Sequence, residues 1–229
     1  MKQIYNYLFL VVVALYGCGD NEPINKASDL EYFPLQTGFY QIYSIDETIY
    51  TELDPPQEFS YELKTEVVDS FANLEGGITY VLYRSTRTTE NDPWVFKEAW
   101  SAKTNAQYIV LMEGNVSYIR IALPAFKDKD WNGNALNSLG EDIYRIESKG
   151  KSYSLSGALE FQDALVVDQE NEVNSLFRDE REEVYARNVG LVYKKSIVLN
   201  YCDEVPCFGQ QIISEGVDYL QVLKEYGQN

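Results

Sequence analysis

Asp128, Asp130, Asn132 and Asn134 stand two apart in the stretch DKDWNGNALNSLGED (128–142), with Gly133 between the last two. Oxygen donors at positions 1, 3 and 5, followed by glycine at position 6, begin the loop of a helix–loop–helix calcium site. The pattern then breaks. Position 12 should supply a bidentate Glu and is Leu139, and the preceding IRIALPAF carries Pro124 and strand-forming residues where a helix is required. The competing reading is a polar loop between strands, so no metal is expected. In that reading Trp131, Asn132, Gly133, Asn134 and Asn137 are the residues that hold the loop or bind through it, Gly133 supplying a backbone angle other residues resist.

Other chemistries are limited by residue supply. The chain has no histidine, which removes Ser-His-Asp and Cys-His catalysis and the usual ligands of zinc and copper. Ser148 to Lys151 fits an S-x-x-K spacing, but the companion motifs are missing and the stretch looks like a turn. Paired carboxylates are the remaining hydrolytic option. With 36 Asp and Glu in the chain, a pair carries no information without geometry. No catalytic residue and no cofactor is assigned. Trp94, Trp100 and Trp131 suit stacking on sugars or lipids, although Trp at strand positions is more often core.

A net charge of -17 opposes nucleic-acid binding, because phosphate backbones would be repelled. The N-terminus supplies an address. Lys2 precedes a short apolar run, IYNYLFLVVVALY (4–16), which is too short to span a bilayer and suits the core of a secretory leader. It ends in Leu15-Tyr16-Gly17-Cys18, which resembles the lipobox of bacterial lipoproteins. That resemblance implies cleavage after Gly17 and acylation of Cys18, which would make residues 1–17 a signal peptide and Cys18 the lipid attachment site. Stacked acyl chains add about 0.8 kcal/mol per buried CH₂, enough for a firm anchor. Residues 18–29 then form a solvated tether, and residues 30–229 a single domain. Cys202 and Cys207 remain. In an oxidising compartment the expected outcome is a disulfide, worth about 2 kcal/mol for so small a ring.

The elements that must position these residues are strands. Tyr61, Leu63, Val67 and Phe71 alternate with Glu62, Lys64 and Glu66, and comparable runs recur to the C-terminus. Val189, Leu191, Tyr193, Ile197, Leu199 and Tyr201 mark one face of a late strand. Glu75-Gly76-Gly77, Glu113-Gly114-Asn115 and Lys149-Gly150-Lys151 each suit a tight hairpin. Residues 175–187, SLFRDEREEVYAR, suit a helical turn or a strand start. About a dozen strands linked by hairpins predict an all-β, mainly antiparallel fold: a curved meander sheet forming a half-barrel or barrel.

Four phrases, YFPLQTGFYQIY (32–43), WNGNALN (131–137), VYARNVGLVYKKS (184–196) and YCDEVPCFGQQIISEGVDYLQVLKEYG (201–227), together resemble uncharacterised lipoproteins of Bacteroidota-type bacteria. Residues 188–193, NVGLVY, are also similar to a phrase of the LolA–LolB half-barrel. The first resemblance implies a cell-envelope lipoprotein at the outer membrane, on its periplasmic or surface face. The second implies an apolar concave face suited to a lipid-like ligand. The resulting expectation is a membrane-anchored, non-enzymatic binding or scaffolding domain whose partner is a protein or an apolar ligand. A carrier or sensor of such a ligand is the alternative, and a carboxylate hydrolase the third reading.

Overall fold

The computed structural model describes residues 29–155 and 159–229. The leader, Cys18 and the tether through residue 28 lie outside them. Among the described residues the chain forms a 3-10 turn at Leu30–Tyr32 and twelve strands: β1 (Phe39–Tyr50), β2 (Gln57–Ala72), β3 (Ile78–Arg87), β4 (Val95–Thr104), β5 (Tyr108–Glu113), β6 (Val116–Ala122), β7 (Asp130–Asn132), β8 (Ile143–Ser154), β9 (Glu160–Val173), β10 (Phe177–Ala186), β11 (Gly190–Tyr201) and β12 (Ile213–Gln228). The fold is all-β, as the alternation predicts. The segment left open between helix and strand is β10.

Sequence neighbours are spatial neighbours throughout, in the order β6-β5-β4-β3-β2-β1-β12-β11-β10-β9-β8-β7. The first strand pairs antiparallel with the last, from Phe39↔Gln228 to Tyr50↔Gly216. The two sheet edges are therefore β6 and β7, which follow each other in the chain. The sheet curls until these edges meet in a nearly closed barrel. Ile119, Ile121 and Ala122 from one side share a core with Trp131, Tyr144 and Ile146 from the other. Because the strands form one meander, successive loops alternate between the two ends of the barrel.

Bulges correct the alternation at two places. In β2, Tyr61, Leu63 and Val67 keep one face, but a register shift between Val67 and Asp69 throws Phe71 outward, where it is 54% exposed. A bulge inserts one unpaired residue and reverses every side chain beyond it. Gly150 is not a hairpin turn. It lies inside β8 with φ 75°, within a run of register shifts against β9. Glu75 to Gly77 and Gly114-Asn115 do form turns, between β2 and β3 and between β5 and β6.

The N-terminal segment plugs one end of the barrel. Asp29, read from sequence as the last tether residue, is fully buried; it accepts from the Ala125 amide at 2.8 Å and pairs with Lys149 at 2.8 Å. A carboxylate with such partners belongs to the domain. Tyr32 is likewise buried and donates its hydroxyl to Asp163, which Arg187 also holds at 2.6 Å. Phe33 then reaches Tyr185, with ring centroids 6.1 Å apart.

Candidate functional site: the barrel lumen and its seam

The calcium-like loop closes the barrel. The Trp131 indole N–H donates to the Ile119 carbonyl at 2.9 Å, the Ile119 amide donates to the Gly133 carbonyl at 2.9 Å, and the Asn137 amide donates to the Ser117 carbonyl at 2.9 Å. These three bonds stitch the loop onto β6, where no partner strand lies. The oxygens that a cation would need take protein donors instead. Asn132 Oδ1 accepts from the amides of Asn134 and Asp142, and Asn134 Oδ1 accepts from Asn137. Asp130 is held bidentately by Arg145, and Asp128 stands 3.8 Å from Lys127. Among the described residues no group of metal-binding side chains converges.

Of the residues expected to hold this loop or bind through it, Trp131 and Asn134 are 7% and 8% exposed and Asn132 and Asn137 half-buried, and their hydrogen bonds hold the seam. Gly133 is also required for another reason than the one expected. Its φ is not positive; a Cβ there would lie 2.5 Å from the Tyr144 ring, which packs edge-on against Trp131 at 5.8 Å. In the loop between β11 and β12, Cys202 and Cys207 stand at disulfide distance, with Cα atoms 5.9 Å apart.

Inside the barrel is a cavity of about 350 Å³, lined from nine of the twelve strands and closed at one end by Phe33, Pro34 and Leu35. One pole is apolar: Val67, Leu82 and Leu111 pack with Phe33, Leu35 and Trp100. The other end reaches a shallow depression through Glu47, Tyr61 and Lys97, which line both spaces. Ile49, Phe59, Val95 and Phe96 surround that mouth.

The lumen also carries charge, which sequence reasoning missed. Arg120 is paired with Glu183 at 3.2 Å and with Glu113, while Lys194 reaches Glu183 at 3.0 Å. Burial alone would raise the Glu183 pKa, but Arg120, Lys194 and the Tyr185 hydroxyl outweigh it and hold it at about 2. Burial and the neighbouring Glu183 push the Tyr185 phenol up, so it remains a donor. Both carboxylates beside Arg120 are thus salt-bridged, and Glu183 holds no proton to donate near neutrality. On the mouth side, Arg84 lies over the Trp100 ring at 3.7 Å and pairs with Glu98 at 2.8 Å. Burial and Glu47 raise the Tyr61 phenol to about 12.

The three tryptophans divide accordingly. Trp131 is seam core, Trp100 lines the lumen, and Trp94 sits half-buried under Arg87 at 4.3 Å. A signal for Arg84 is present in the sequence. It follows Tyr80 and Leu82 on the inward parity of β3, a place where a bare charge is costly and therefore informative. Among the described residues no helix is long and apolar enough to cross a membrane.

No protein-family model matches the chain, and no curated protein matches it. Among solved structures it is similar to a crystal structure described as a "putative lipoprotein" from Parabacteroides distasonis ATCC 8503, at 14% identity and a TM-score of 0.45. The alignment covers 86% of this chain and 98% of that one. Values that low carry neither fold nor function across.

Proposed function

We propose that this chain is a lipid-anchored β-barrel of the cell envelope that binds a small, partly apolar ligand in its lumen without transforming it. The cavity of about 350 Å³ supports this reading most directly, since a filled interior would suit a scaffold. It falls at the lower end of the volumes that take small molecules. One apolar pole and a few fixed polar groups are the usual composition of such a site. The carrier reading, second in rank on sequence, thereby moves ahead of scaffolding. The lumen is less apolar than the half-barrel resemblance implies, so a bare hydrocarbon is the wrong ligand. The anchor rests on the leader and on Cys18. Organic extraction and native mass spectrometry of the protein purified from membranes should recover a bound small molecule in about one-to-one ratio. A bare protein mass with nothing extractable would remove the carrier reading.

A further inference from the structure

We infer that the lumen takes an amphiphile whose polar end is a carboxylate, received by Arg84 and Trp100; this rests on the lumen-binding reading above. β3 and β4 set Leu82 opposite Trp100 and Arg84 opposite Glu98. Both Arg84 and Trp100 line the cavity, and the guanidinium lies 3.7 Å from the ring centroid. Within this stacked unit, Arg84 Nε and Trp100 Nε1 are buried N–H donors without an acceptor. Buried donors are seldom left so, and two on neighbouring strands in one cavity wall call for an acceptor that the chain does not supply. A guanidinium fork and an indole N–H suit a planar, two-oxygen acceptor.

Charge narrows the class further. Arg84 already shares its charge with Glu98. Glu47 lines the same cavity, as does Lys97, which among the described residues makes no ion pair. These four groups sum to zero formal charge, so a ligand's charge must be met by the unpartnered N–H donors alone. A second negative charge would go uncompensated, and a carboxylate therefore suits the locus better than a phosphate monoester. The apolar body has its place alongside, because Trp100 also packs against Val67, Leu82 and Leu111.

The test is calorimetric titration of the purified, solvent-extracted protein with decanoate, decanol and decyl phosphate. Decanoate should saturate at one per chain and bind about tenfold more tightly than decanol, the value of one charge-assisted hydrogen bond. Trp100→Phe keeps an aromatic ring under Arg84 but removes the N–H together with part of the indole; it should weaken decanoate about tenfold more than it weakens decanol. The double substitution Arg84→Met, Glu98→Gln removes the charge pair as a unit and should abolish the preference. Equal binding of decanoate and decanol overturns the carboxylate inference while the lumen reading stands. So does tighter binding of decyl phosphate, or a Trp100→Phe protein that binds decanoate normally. If none of the three binds and nothing is extracted from the native protein, both the inference and the lumen reading fall.

Discussion

Gly133 has no Cβ because the Tyr144 ring occupies that place, 2.5 Å from where the atom would be. Gly133→Ala must therefore displace the ring or the loop, at about 1–3 kcal/mol, measured by urea unfolding. A loss of a few tenths would mean that the loop yields freely. Glu183 makes a second, pH-linked case. Its folded pKa of about 2 lies below the ordinary 4.5, so the stability it adds is complete above about 4.5 and drains as pH falls towards 2. Glu183→Gln leaves Arg120 and Lys194 short of a carboxylate and should cost roughly 3 kcal/mol at neutral pH. The gap between wild type and variant should narrow as pH drops below about 4, because protonation removes the same charge from the wild type. A gap constant with pH would show that the carboxylate charge is not what matters. At this scale the sequence was half legible. Gly133 is legible as a glycine the loop requires, but the reason is a ring eleven residues away, which no local pattern encodes. Arg84, a charge on the apolar parity of β3, is not singled out by alternation alone.

The element of most consequence is the loop that joins β7 to β8, since it supplies the pairing that β6 lacks. Asn137→Ala takes the donor from the Ser117 carbonyl and from Asn134. The Ile119 amide, bonded to the Gly133 carbonyl across the same seam, should then exchange with solvent about tenfold faster. Amides of β1 and β12, paired along their whole length, should not change. Uniform acceleration would mean that the seam opens only with the whole barrel. Strand existence was readable from alternation, turn residues and aromatic content. Bulges were not, because one inserted residue obeys the local pattern while turning the rest of its strand over. Phe71 and Gly150 were misplaced for that single reason. Asp29 was misplaced because polar composition marks a tether, and only its buried partners Lys149 and Ala125 show it to be structural.

For the whole molecule, the proposed address and the barrel can be tested separately. A fatty-acid probe should label the wild type and not Cys18→Ala; equal labelling of both would end the anchor reading. Peptide mapping without reductant should find Cys202 joined to Cys207, whose separation suits a bond. Two free thiols would refute it. Sequence could announce the barrel but not whether its inside is filled, because cavity volume depends on how twelve curved strands sum. The ring itself has one more consequence. Its weak line falls at mid-chain, between β6 and β7, while its two termini are joined by twelve residue pairs. A nick in residues 126–129 would therefore yield two six-stranded pieces still zipped along β1 and β12. The protein is in effect a barrel that can be split into complementing halves, with the natural place to cut at its centre and the place to fuse at its ends.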